Sequence, residues 1–442
     1  MVAFYALPRK PAVAKGNHYE TGASDNDMPL RQGTEPHMAL FKPENNLSWR
    51  VTGVKEAAIL RMSRKAREMR AQGHDIIALT IGEPDFDTPR HIRDAAARAL
   101  EEGWTHYAPI PGLPELRAAI AAKLKHENGL DYSPDEIVVS NGAKQAITNA
   151  IFSLVEDGDE VILPAPYWVA YEGVIRLAGG RPVPLPSSFG NSWRVSAAQI
   201  ATAMSERTKL VLINTPSNPS GMVWPLTALK ALANIVRGHP SCMVLSDEIY
   251  EYIVFDGHEH HSIAALPGMK QRTVTVNGFS KGFAMTGWRL GYAAAAEPVA
   301  RAMQKMQGAL TAGANAFVQR AAISALEGPR QPVEEMRRAY EKRRALVVER
   351  LSAMAGVRVL PPQGTFYAFP DVSRALAAAA EKGIADSTEE LCDWLLQKHH
   401  VALVPGSAFG AGGAVRISFA TSLGELEKGL ERLAVGLREI MK

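Results

Sequence analysis

Seven short runs rich in β-branched and apolar residues recur along one stretch of this chain, and helical patterns separate many of them. The runs are Ile137–Ser140, Glu160–Leu163, Arg181–Pro184, Leu210–Asn214, Met243–Ser246, Thr273–Asn277 and Leu290–Ala294. Helical spacing between them is clearest over Lys144–Val155 and Leu226–Val236. Adjacent parallel strands need a crossover of a dozen or more residues, normally a helix. The alternation therefore predicts one large, mostly parallel sheet with helices on both faces.

Weaker patterns flank this stretch. Ahead of it, Ala57, Ile59, Leu60, Met62, Ala66 and Met69 fall at helical spacing, and Gly73 suits a helix stop. A short strand is expected over Ile76–Ile81, ending at Gly82, and a helix from Ile92 to Leu100. Behind it, a long charged helix over 333–355 predicts a link to a smaller α/β unit. Its expected strands are Val357–Leu360, Phe366–Phe369, Val401–Val404 and Val415–Ser418. The organisation read from the sequence is a large domain over 91–332 and a small one combining 49–90 with 333–442. Residues 1–48 are expected to be a disordered extension. They mix Gly, Pro, Asn and Asp, lack the apolar core of a signal peptide, and interrupt a transit-peptide pattern with Glu20, Asp25 and Asp27.

Composition narrows the partners. With 49 basic against 46 acidic residues the net charge is only +3, which gives no basis for nucleic-acid binding or a polyanionic surface. No apolar run is long enough to span a bilayer, so no membrane association is expected. Cys242 and Cys392 are the only two cysteines and have no metal-ligand spacing. Neither a metal site nor a disulfide framework is expected, and a reducing cytoplasm suits the chain.

Chemistry-bearing residues gather where such a sheet holds ligands, beyond the carboxyl ends of its strands. Asn218, Asp247 and Lys281 each follow a predicted strand, and the helix opening at Gly142-Ala143-Lys144 follows another. Backbone N–H groups at a helix start make an anion site. Lys281 lies in Ser280-Lys281-Gly282-Phe283-Ala284-Met285-Thr286-Gly287-Trp288-Arg289-Leu290-Gly291-Tyr292. A loop lysine is more often a solvated charge. Here Phe279, Phe283, Met285 and Trp288 can desolvate the amine and favour its neutral, nucleophilic form. Arg289 can grip a phosphate through paired hydrogen bonds.

That stretch resembles the lysine signature of class I/II, fold-type I aminotransferases dependent on pyridoxal 5′-phosphate, closest to the bacterial aspartate aminotransferase subgroup. The similarity runs from about Val54 to the C-terminus. It implies that Lys281 carries the cofactor as a Schiff base, that Asp247 pairs with the protonated pyridine nitrogen, and that Tyr250 donates to the ring's phenolic oxygen. Glu248 has no cofactor role in this reading. Asn218, in Asn214-Thr215-Pro216-Ser217-Asn218-Pro219-Ser220-Gly221, would serve the ring oxygen and the substrate carboxylate. Gly142, Ala143, Lys144, Ser280 and Arg289 would hold the phosphate, and Trp168 would stack on the ring. Gly82 and Phe366 would border the substrate. Arg416, a basic residue inside the apolar strand Val415–Ser418, would grip the α-carboxylate. Tyr107 resembles a tyrosine that reaches the partner's phosphate, which implies a homodimer with shared active sites.

The implied reaction is ping-pong transfer of an amino group between an L-amino acid and a 2-oxo acid. Aspartate, with 2-oxoglutarate as acceptor, leads on the subgroup resemblance and on Lys144, which there also meets the substrate's distal carboxylate. Ala57, Ile59 and the Gln307–Gly313 loop are less polar than members selective for acidic substrates. Aromatic, prephenate or neutral substrates are the alternative. Fold-type I also hosts carbon–sulfur lyases and aminocyclopropane-carboxylate synthases. Lys144, Trp168 and the run Ala284-Met285-Thr286-Gly287-Trp288 favour transamination.

Overall fold

All seven runs become strands of one sheet. The structure is a computed structural model and describes residues 47–52 and 58–442. Ala57 and nearly all of the expected N-terminal extension lie outside the described residues. The first strands are β1 (Ile77–Ala78), β2 (Ile137–Ser140), β3 (Glu160–Pro164), β4 (Arg181–Leu185), β5 (Thr208–Asn214) and β6 (Met243–Asp247). Then follow β7 (Thr273–Gly278), β8 (Gly291–Ala294), β9 (Tyr367–Ala368), β10 (Val401–Ala402), β11 (Val404–Pro405) and β12 (Val415–Ser418).

The large sheet has the order β2-β8-β7-β6-β5-β3-β4. Only β8 runs against its neighbours, pairing antiparallel with β2 and β7. Central strands are buried on both faces, as helix-covered parallel sheets require. From β3 the chain moves one way to β4 and from β5 the other way to β8. That reversal between β3 and β5 opens a crevice at the carboxyl ends, the place where this architecture binds ligands. Registers Asn214↔Asp247 and Gly278↔Gly291 put the ends of β5, β6 and β7 on one rim, beside the start of β8.

The C-terminal part contributes shorter pieces. The charged helix spans Gln331–Ser352, with Val333, Met336, Tyr340, Arg344, Val347 and Leu351 buried along one stripe. β11, β12 and β9 form a three-stranded sheet, and β1 pairs with β10. Four sequence expectations shrink here. The strands expected over Ile76–Ile81 and Phe366–Phe369 keep two residues each, and that over Val401–Val404 divides into β10 and β11. Val357–Leu360 yields only an isolated bridge, Arg358 with Asp371. Short apolar runs mark burial without guaranteeing a pairing partner along their whole length. Among the described residues, no helix is long and apolar enough to cross a membrane.

Candidate active site

The carboxyl-end crevice encloses a cavity of about 380 Å³. Lys281, three residues past β7, lines it, and Nζ donates a hydrogen bond to the carbonyl oxygen of Gly82. The amine is 5.9 Å from the Tyr250 ring centre and 5.7 Å from that of Phe366. Burial pushes Lys281 down to about 8, helped by the charges of Arg416 and Arg289 and opposed by Glu83 and Asp247. Roughly one amine in ten is then neutral at pH 7. The lysine loop is tied to the Gly82–Thr88 loop at three points. Thr286 donates to Glu83 (2.8 Å), Thr88 to the Ala284 carbonyl (2.6 Å), and the Trp288 indole to Thr88 (2.9 Å). These ties hold Ala284 and Arg289 at φ of 51° and 53°, where non-glycine residues are uncommon.

One wall is an anion cradle. Gly142, at φ 83°, caps the helix Ala143–Leu154. The first N–H groups of a helix have no partner inside it and favour negative charge. Arg289 closes the cradle so tightly that a Cβ on Gly142 would come within 2.7 Å of Nη2. Gly291 lets β8 approach the same helix start, since its Cβ would meet the Ala143 nitrogen at 2.4 Å. Ser280 and Lys144 also line the cavity, with Lys144 Nζ 5.3 Å from the Trp168 ring centre.

Asp247, ending β6, is buried on the cavity floor. One carboxylate oxygen accepts from the Tyr171 hydroxyl (2.6 Å) and the other from the Ile249 N–H (3.3 Å). Burial raises this carboxyl to about 6 against those two hydrogen bonds. A cation above it would hold it ionised. Tyr171 is a partner the sequence reading missed. Its signal is spacing, since Trp168 and Tyr171 lie one helical turn apart and both line the cavity.

Arg416, on β12, is 1% exposed. It donates to the Asn218 side-chain oxygen (3.0 Å) and the Thr80 carbonyl (2.8 Å), while Nε is buried without an acceptor. Among the described residues it forms no ion pair. Burial pulls its pKa below the usual value. An uncompensated buried guanidinium is costly, and an incoming carboxylate is the partner it lacks. Asn218 is aimed in turn by its own N–H, which donates to Asn214 (2.6 Å).

Residues 74–433 match the family model for aminotransferase class I and II. An aspartate aminotransferase of Geobacillus stearothermophilus is 44% identical over 388 residues, covering 88% of this chain and 98% of its own length. An aspartate/prephenate aminotransferase of Nitrosomonas europaea is 40% identical over 391 residues, covering 88% and 98%. The solved aspartate aminotransferase of Thermus thermophilus with maleate superposes with a TM-score of 0.83, at 41% identity over 88% of this chain and 99% of that one. This chain belongs to the class I and II aminotransferases.

It is a pyridoxal 5′-phosphate-dependent transaminase of fold-type I, as its lysine signature implied. The cavity fits the cofactor's three demands: an anion cradle for the phosphate, a buried carboxyl for the pyridine nitrogen, and an amine of lowered pKa for the aldehyde. Gly82, Ala143, Lys144, Trp168, Asn218, Asp247, Tyr250, Ser280, Lys281, Arg289 and Arg416 all line the cavity, and Gly142 backs Arg289.

Two expectations change in the aminotransferase structure. Phe366 is fully buried behind the cavity and Tyr367 lines it instead. Successive residues in extended chain face opposite ways, so a one-residue difference decides which ring is exposed to the ligand. The Gln307–Gly313 loop is absent from the lining. Gln307 is buried, accepting from Ser140 (2.6 Å) and Asn149 (3.0 Å) and donating to the Val139 carbonyl (2.8 Å). Thr311, Ala312 and Gly313 border a separate groove with Tyr107. Tyr107 itself is 97% exposed and outside the cavity of its own chain. Ile59 lines the cavity, while Glu248 faces away and binds Ser246 (2.7 Å) and Ser262 (2.8 Å).

Proposed function

We propose that this aminotransferase exchanges amino groups between L-aspartate and a 2-oxo acid, with 2-oxoglutarate as acceptor, in the cavity between Lys281 and Arg416. The observation that carries the reading is Arg416: a buried guanidinium with no carboxylate partner among the described residues, opening on the same cavity as a lysine of lowered pKa. Arg416 and Asn218 hold the α-carboxylate and so orient the Cα–H bond toward Lys281. Lys281 Nζ, steered by the Gly82 carbonyl, is the group that would accept the Cα proton and give it back. When bound, pyridoxal 5′-phosphate supplies an aldehyde for the amine and a cationic ring that withdraws electrons from Cα. Asp247, braced by Tyr171, would keep that ring nitrogen protonated. Tyr250 and Asn218 would hydrogen-bond the phenolic oxygen, and Trp168 would cover the ring. Gly142, Ala143, Lys144, Ser280 and Arg289 would hold the phosphate, joined by Tyr107 of the partner subunit in a homodimer.

The domain division read from the sequence, 91–332 against 49–90 with 333–442, belongs to this proposal, as does a cytoplasmic location. Two free, buried cysteines support the latter. Lys144 favours a second carboxylate on the substrate. Ile59 favours the second reading, an aromatic, prephenate or neutral donor, and the Nitrosomonas relative, an aspartate/prephenate aminotransferase, keeps prephenate in view. A half-reaction screen of amino donors separates the two. Aspartate should react with the highest kcat/KM, and Lys144→Gln should lower it at least about tenfold for aspartate alone. A faster reaction with phenylalanine, unchanged by Lys144→Gln, selects the second reading.

A further inference from the structure

One phenol touches three of the groups that the proposed reaction needs, and the reaction scheme gives it no role. Tyr367 lies at the start of β9 with 1% of its surface exposed, on the cavity wall. Its ring is 4.3 Å from the Arg416 guanidinium carbon, closer than the Phe409 ring at 5.2 Å on the same cation. Its hydroxyl is 3.1 Å from the Tyr250 hydroxyl, and either oxygen can be the donor. The same oxygen would be 3.1 Å from a Cβ at Gly82, the residue whose carbonyl accepts the hydrogen bond from Lys281. Among the described residues, no other side chain contacts both Arg416 and Tyr250 in this way.

We propose that Tyr367 is a positioning residue that couples the carboxylate seat to Tyr250. The proposal rests on the assignment of Arg416 to the substrate carboxylate and of Tyr250 to the cofactor's phenolic oxygen. The ring does the first half of the work. A guanidinium over an aromatic face gains electrostatic attraction that grows as water is excluded. Arg416 has no ion pair among the described residues, so this face, the more distant Phe409 ring and two hydrogen bonds are what aim it. The hydroxyl does the second half. With no acceptor in the cavity, Tyr250 can give its proton to Tyr367. With a phenolate oxygen present, Tyr250 turns its proton to that oxygen, and Tyr367 then donates to Tyr250. A hydroxyl that accepts a hydrogen bond becomes a stronger donor, so Tyr367 strengthens the bond that Tyr250 makes. Strand geometry explains why this residue and not Phe366 does so. Phe366 is absent from the cavity lining, its ring tilted 39° to that of Tyr340 with centres 5.3 Å apart, while the next side chain lines the cavity.

Two substitutions separate ring from hydroxyl. Tyr367→Phe keeps the aromatic face and removes only the oxygen. In the cofactor-loaded protein, the pH midpoint of the visible absorption band should rise by roughly 0.3 unit or more, because Tyr250 becomes a weaker donor to the phenolic oxygen. The limiting rate of the half-reaction with L-aspartate and with L-phenylalanine should fall about threefold or more, with the half-saturating concentration changing less than about twofold. Tyr367→Leu removes the face as well, and should raise the half-saturating concentration of both amino acids about threefold to tenfold. Arg416→Lys, measured alongside, keeps the site assignment and the coupling distinct. If Arg416→Lys leaves half-saturation unchanged, the carboxylate seat is misassigned and the coupling falls with it. If Arg416→Lys raises it but Tyr367→Phe leaves the absorption midpoint in place, the coupling alone is overturned. Equal shifts in both parameters for both Tyr367 variants would reduce the residue to packing.

Discussion

At the scale of single residues, the cavity holds two groups whose pKa values burial moves toward neutrality from opposite sides. Asp247 is raised from 3.8 to about 6, and Lys281 is lowered from 10.5 to about 8. The aspartate makes a prediction about stability without cofactor. Its folded-state pKa lies above the unfolded value, so folding takes up a proton between them. The contribution is complete below about pH 4 and is lost as pH rises through 6. Above that range the folded protein carries a buried, strained charge. Asp247→Asn should therefore raise the melting temperature of the cofactor-free protein at pH 8, by an amount equivalent to about 1–3 kcal/mol, and the gain should vanish near pH 4. The same variant should lose about 100-fold or more in turnover, because an amide cannot hold the ring nitrogen protonated. A pH-independent gain would assign the effect to packing. These residues were legible as motifs, since Asp247, Asn218, Lys281 and Arg289 stand in runs of fixed spacing. Tyr171 and Tyr367 were not, because they act through the groups they touch, and contact across the fold leaves no local pattern.

At the scale of elements, two glycines decide how closely the pieces of the anion cradle approach. Gly291 is the clearer case because its neighbours are backbone atoms: a Cβ there would be 2.4 Å from the Ala143 nitrogen and 2.7 Å from the Gly142 carbonyl carbon. Backbone cannot swing aside as a side chain can. Gly291→Ala should push the helix start away from β8, lowering stability by about 1–3 kcal/mol and weakening cofactor affinity at least about tenfold. Equilibrium denaturation and a cofactor titration measure the two effects, and unchanged affinity would remove the helix start from the phosphate site. The strands of the large sheet could be read from the sequence because most are buried on both faces, which leaves a nearly continuous apolar run; β4, at the sheet edge, is partly exposed and is marked by its β-branched and Pro-containing run instead. The smaller strands were overestimated. Val357–Leu360 makes a single bridge, since an exposed Arg358 interrupts it and only Val357 is buried. Phe366 was misplaced for a related reason: a run of aromatic residues shows that a strand is buried without showing which parity faces the ligand.

At the scale of the whole molecule, a lone chain leaves its proposed site one residue short. Tyr107 is exposed beside a groove that Thr311, Ala312 and Gly313 also border, so the end of the Gln307–Gly313 stretch belongs to that surface rather than to the chain's own cavity, while Gln307–Leu310 finish a helix. In the proposed homodimer that surface meets the partner's site. Tyr107→Ala and Lys281→Ala are each expected to be strongly impaired alone. Mixed and re-paired, they should recover up to about a quarter of wild-type activity, because one site of each hybrid dimer carries both native residues. No recovery despite hybrid formation would confine each site to one chain. The central claim, that Lys281 is the amine on which the cofactor is held, has the most direct test. Borohydride reduction of the cofactor-loaded protein followed by peptide mass mapping should find the phosphopyridoxyl group on the peptide containing Lys281 and leave Lys281→Ala unlabelled. A label on Lys144 or any other lysine, with Lys281 unmodified, would contradict it.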